Sequence, residues 1–222
     1  MGYIFLFLSV AIGYLIALLF KIKEVKQISI FLAFSGAFLL SITIFELLPE
    51  VYQIPSKTIG VYIVIGILLQ IFLEFFSQGA EHGHVHDHTN KNVFPWLLFF
   101  SLSIHALFEG FPISEDNNLM IGIVIHKIPI ALILSLFFIK ANYSKVITIL
   151  FLFLFALMTP FGNWISNNFE LLQLYKTQIT AITIGIFLHV SSTILFESSK
   201  DHKFNFSKMA AVIVAITIAY FL

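Results

Sequence analysis

The sequence predicts an all-α membrane protein with eight transmembrane helices. Of its 222 residues, 59% are hydrophobic and only 11% are charged, and the mean hydropathy is +0.98. A soluble domain of this length needs far more polar surface. The apolar residues also fall into runs, each near the length that crosses about 30 Å of hydrocarbon. Short polar stretches rich in lysine separate the runs.

Taken in order, the apolar segments are 3–20, 28–48, 58–76, 94–113, 119–138, 146–164, 178–196 and 205–222. The first follows MGYIFLFLSV with no basic region ahead of it, so it is expected to be a retained span rather than a cleaved signal. The last is the shortest. The segments leave no room for a sizeable soluble domain, so 1–222 is expected to form one transmembrane domain. The longest charged loop, about 77–93, lies between spans three and four. Lysines orient the spans. The loops after spans one, three, five and seven carry Lys21, Lys23, Lys26, Lys91, Lys140, Lys145, Lys200, Lys203 and Lys208, and the alternate loops carry only Lys57 and Lys176. The positive-inside rule then puts the odd-numbered loops in the cytosol and both termini on the other side. The membrane is the plasma membrane or that of an organelle.

Composition also excludes some functions. Cysteine is absent and the formal net charge is zero. No disulfide framework or thiolate metal site is possible, which leaves His, carboxylate and carbonyl as metal ligands. Nothing points to a nucleic-acid partner. No cofactor is expected.

The chemistry concentrates in spans four and five. Span four contains SIHALFEGFPIS, residues 103–114, and span five contains IGIVIHKIPIALILSL, residues 121–136. His105 and Glu109 are one helical turn apart and share a face. A charged side chain at a helix centre in the bilayer costs roughly 2.5–3.5 kcal/mol on insertion scales, and such residues mark ion pathways. The two spans are joined by the short loop SEDNN and so are antiparallel neighbours. At about 1.5 Å per residue from that loop, Glu109 lies about 6 Å deep, His105 about 12 Å and His126 about 10 Å. The three therefore fall at matched depth. Pro129 cannot donate to the carbonyl of Ile125, which frees a polar group beside His126. Two imidazoles, one carboxylate and open positions suit Zn²⁺ or Fe²⁺ as a transported substrate. The competing reading makes the histidines helix–helix hydrogen-bond donors and pairs Glu109 with Lys127. Lys127 has no lone pair to offer a metal and reads as a fixed charge.

Other residues are secondary candidates for metal binding. Glu46 and Glu50, i and i+4 at the outer end of span two, would attract cations to an entrance or form an ordinary interfacial pair. His189 lies mid-span in span seven, as a secondary ligand or a packed, hydrogen-bonded histidine. His82, His84, His86 and His88 alternate through QGAEHGHVHDHTNKN, a composition that points loosely to metal binding or to a solvated linker. Glu74 and Glu197 sit near inner ends and read as interfacial.

At these residues the chain resembles the ZIP (Zrt/Irt-like) metal-transporter family. His105, Glu109 and Gly110 match its span-four pattern H-x-x-x-E-G. His126 and Lys127 match the opening of span five in the branch that carries Lys there. FSGAFLLSITIFELLPE is similar to the family's span two, ending in L-P-E, and TPFG at 159–162 to its span-six P-x-G turn. The His tract sits where the family has one. Eight spans with both termini outside also agree. The resemblance implies a 3+2+3 arrangement, with spans one to three and six to eight as an inverted repeat. It also implies Zn²⁺ uptake into the cytosol by alternating access, possible Fe²⁺ or Mn²⁺ substrates, and a homodimer in the lipid bilayer. The chain departs from the family at several places. Lys127 and Ile130 stand where many members have acidic residues that build a second, bridged metal site. Ala106 stands for Asn, Glu46 for a span-two His and His189 for Tyr. Ser192 and Thr193 replace an HE pair. The resemblance therefore implies a single intramembrane site, with the Lys127 ammonium substituting for the charge of a second metal. Two rivals remain at this point: an intramembrane zinc-dependent hydrolase that activates water at the same ligands, and a metal sensor or scaffold acting through the His loop.

Overall fold

In the computed structural model of the chain, residues 2–19, 25–53, 56–77, 93–114, 118–197 and 206–222 are described. Among them every regular element is helical. The order is α1 (Gly2–Leu19), α2 (Val25–Ile42), a π-helical stretch (Thr43–Leu47) running into α3 (Leu48–Val51), α4 (Lys57–Ser77), α5 (Trp96–Gly110), α6 (Leu119–Lys140), α7 (Lys145–Asn168), α8 (Glu170–Leu174), α9 (Lys176–Glu197) and α10 (Phe206–Phe221). Five helical stretches are long and apolar enough to cross a membrane: Ile28–Val51, Lys57–Ser77, Leu119–Lys140, Lys145–Asn168 and Lys176–Phe196. Tyr3–Leu19, Trp96–Gly110 and Phe206–Phe221 are shorter apolar helices. The expected His-rich loop, with His82, His84, His86 and His88, lies outside the described residues.

The helices expose apolar side chains on the outside and carry small and polar side chains among the apolar ones inside. On α4, Val61, Val64, Ile65, Leu68, Phe72 and Phe75 are exposed at helical spacing, while Ile59, Gly66, Gln70, Leu73 and Ser77 are buried. Ser35, Ser41, Thr43, Ser101, Ser135, Thr159, Thr183 and Ser191 are also buried. Water would drive the opposite arrangement, whereas lipid accepts an apolar exterior and leaves small and hydrogen-bonding residues to hold the helices together. The chain is an integral, multi-pass membrane protein.

Close backbone approaches set the helix pairs. A Cβ at Gly66 would collide with the carbonyl of Ile182 on α9, and one at Gly185 with the carbonyl of Ile63 on α4. Gly110 of α5 and Gly162 of α7 stand in the same relation to Thr159 and Leu107. Residues 159–162 differ from the turn that TPFG implied: they lie inside α7, with Pro160 in the helix. Gly162 serves the close approach to α5 instead. Overpacking of this kind typically costs 1–3 kcal/mol. Gly185→Val is expected to lower the melting temperature of the detergent-solubilised chain markedly, since the clash is with backbone that cannot rotate away. An exposed change, Ile213→Val, should leave it unmoved.

Two apolar clusters fill the interior. One gathers Leu98, Phe99, Leu102, Ala106, Ile130, Leu134, Phe138, Phe151 and Phe155. The other gathers Leu6, Phe38, Leu39, Ile42, Leu47, Ile113, Leu119, Ile123 and Phe187. On α6, His126 and Lys127 fall between Ile123 of the second cluster and Ile130 of the first.

Candidate metal centre

His105 and Glu109 project from one face of α5, and His126 and Lys127 from the facing part of α6. His105 Nε2 lies 3.2 Å from Glu109 Oε1. His126 Nε2 lies 4.0 Å from the same oxygen. One ligand atom from each of the three residues falls within 4.8 Å of the others. All three residues are buried, Glu109 and His126 at 1% exposure. Donors about 2.1 Å from a tetrahedral ion stand about 3.4 Å apart, so small closures would bring these atoms onto one cation. They line a small cavity with Lys127, Leu102, Ile130 and Phe155.

The other carboxylate oxygen is engaged differently. Lys127 Nζ lies 2.7 Å from Glu109 Oε2 and 4.5 Å from the centroid of the Phe155 ring. The Thr159 hydroxyl lies 3.0 Å from Oε2 and 2.9 Å from the carbonyl of Ala106. The close approaches at Gly110 and Gly162 allow this, because Gly110 lies against the backbone of Thr159 and Gly162 against that of Leu107. Glu109 thus pairs with Lys127, as the competing reading expected, and also turns its second oxygen to both histidines. α6 runs unbroken through Pro129, which keeps His126 on the same helix as the buried residues that follow.

Three polar residues near the centre were not singled out from the sequence. Gln70 Oε1 of α4 accepts from His105 Nδ1 at 3.0 Å. Ser35 Oγ of α2 lies 3.2 Å from His126 Nδ1. Thr159 is the third. Their only signal is that each is an uncharged polar side chain inside an apolar span.

Among the described residues, the secondary candidates Glu46, Glu50 and His189 are not part of this cluster. Glu46, on the π-helical stretch, accepts from the backbone N–H of Asn118 at 2.9 Å and from its Nδ2 at 3.1 Å. It thereby anchors the start of α6. Glu50 is exposed. His189 pairs with Glu74 at 2.7 Å, both partly exposed, so the histidine that sequence left as ligand or packed residue has a carboxylate partner on α4.

A family model described as ZIP zinc transporter matches residues 77–221, well over half of the chain. The match takes in α5 to α10 and all three clustered residues. No curated protein matches the chain.

Proposed function

The chain belongs to the ZIP zinc-transporter family, and we propose that it moves zinc into the cytosol through a transport site formed by His105, Glu109 and His126. Membership places it among transporters of divalent metal rather than among enzymes, so the hydrolase rival falls away. The observation that carries the site assignment is the convergence of two imidazole nitrogens and one carboxylate oxygen within 4.8 Å inside an apolar bundle. Iron and manganese accept the same ligand types and are included as candidate substrates.

The 3+2+3 arrangement of eight spans in one domain is part of this reading. Exchanging spans one, two and three for six, seven and eight, and four for five, turns one set of helix contacts into another. α4 packs on α9 as α10 packs on α2, and α1 packs on α6 as α7 packs on α5. This pairing is what an inverted repeat produces.

Metal would approach past Glu46 and Glu50 and leave on the side of His189, Glu74 and the His tract, with both termini away from the cytosol. An inside-negative potential of 100 mV favours a divalent ion by about 4.6 kcal/mol, twice the per-charge value. Lys127 would hold the place and charge of a second metal, leaving a single site. A homodimer in the bilayer completes the reading.

Proteoliposomes carrying the intact chain are expected to take up Zn²⁺, with the Zn²⁺ to Fe²⁺ ratio setting the preference. Folded protein that gives no flux with any of the three metals would rule the proposal out. Deleting residues 81–89 should leave most of the flux; complete loss on that deletion would move the His loop, as sensor, to the centre of the function.

A further inference from the structure

A neutral imidazole offers a metal only the nitrogen that lacks its proton, and the partner of the other nitrogen decides which that is. His105 Nδ1 faces Gln70 Oε1 at 3.0 Å. A carboxamide oxygen only accepts, so the ring proton belongs on Nδ1 and the lone pair on Nε2. Nε2 is the nitrogen 3.2 Å from Glu109 Oε1. His126 repeats the arrangement, with Nδ1 3.2 Å from Ser35 Oγ and Nε2 4.0 Å from the same Glu109 oxygen. Each histidine therefore has its rear nitrogen held by a helix other than its own, α4 for His105 and α2 for His126. Both front nitrogens face one point.

Gln70 is fully buried, and among the described residues its Nε2 finds no hydrogen-bond partner. An orphaned buried donor destabilises a fold. An apolar side chain of similar size would fill the space between α4 and α5 without that cost. Packing alone does not account for a glutamine here, whereas the need for an acceptor behind His105 does.

We infer that Gln70 and Ser35 are positioning residues of the metal centre, fixing His105 and His126 with Nε2 towards the ion. This rests on the reading of His105, Glu109 and His126 as the transport site. Gln70 carries the larger share, because its oxygen has only the acceptor role while a serine hydroxyl can turn either way.

The test uses the full chain in lipid nanodiscs for zinc affinity by calorimetry, and proteoliposomes for flux. Gln70→Met keeps length and removes the acceptor. It is expected to weaken zinc binding about 10–100-fold, the range seen when such outer partners are removed, and to raise the KM for flux with little change in maximal rate. Gln70→Glu restores an acceptor and is expected to bind zinc at least as tightly as the unaltered chain. Ser35→Ala should show a smaller loss that Ser35→Thr recovers. Unchanged affinity in Gln70→Met, or equal losses in Gln70→Met and Gln70→Glu, would overturn the inference. His105→Ala, run in parallel, separates the two levels. If it binds and carries zinc normally, the site reading fails and takes this one with it. If it loses binding while Gln70→Met does not, only the positioning role fails. Should Gln70→Met not fold, nitrogen NMR of labelled histidine in the unaltered, zinc-loaded chain decides. A proton on His105 Nδ1 is expected, and one on Nε2 would refute the assignment.

Discussion

Glu109→Ala is expected to reduce zinc flux to the level of protein-free liposomes. Glu109 supplies the oxygen that faces both His105 Nε2 and His126 Nε2, so its removal takes away the one ligand the two helices share. The same change strands the Lys127 ammonium, 2.7 Å from Glu109 Oε2, at 1% exposure. Breaking a buried ion pair by deleting one partner costs about 3–5 kcal/mol, so lost flux alone would not separate a missing ligand from a damaged fold. The double variant Glu109→Ala with Lys127→Met separates them. It removes both charges together, which is often neutral for stability, and should recover the melting temperature without recovering flux. Flux that returns in the double variant would place the transport site elsewhere.

The core of this site was legible because its members lie close along the chain or at computable depth. His105 and Glu109 share a face by helical pitch alone, and the short α5–α6 connection sets His126 opposite them. What escaped depended on packing between distant helices. Gln70 meets His105 across 35 positions and Ser35 meets His126 across 91, and no periodicity encodes such pairs. Only the exclusion of polar groups from lipid hints that these residues have partners.

Local irregularity accounts for other differences. Glu46 and Glu50 were paired on the assumption of regular α-helical pitch. The π-helical stretch Thr43–Leu47 changes the rotation there, since π turns bond i to i+5. Glu46 then faces Asn118 half-buried while Glu50 is exposed. The five-residue α8 lies in a stretch that read as loop, too short to set a hydrophobic period. The turn expected at TPFG came from its resemblance to the family's span-six P-x-G turn. Within a membrane bundle neighbouring groups can satisfy the freed backbone, and α7 continues through it.

Lys127→Met is expected to bind zinc at least 100-fold more tightly than the unaltered chain and to carry it more slowly. In the unaltered chain Glu109 and Lys127 form a neutral buried pair, so an arriving ion leaves the cavity with a net charge of +2. Without Lys127 the same ion meets an unopposed carboxylate and leaves a net charge of +1. Two unit charges about 5 Å apart at an effective dielectric near 20 interact by about 3 kcal/mol, and the ion is divalent, so relief of repulsion alone exceeds a hundredfold in affinity. Uptake must end in release, and an ion held that much harder leaves more slowly. The metal-free variant, by contrast, is destabilised by its lone carboxylate. Its melting temperature should therefore rise more steeply with zinc than that of the unaltered chain, as binding to the folded state requires. Calorimetry and melting curves at graded zinc read both effects. Affinity that stays the same or falls would mean that Lys127 shapes the cavity by packing against Phe155 rather than by its charge.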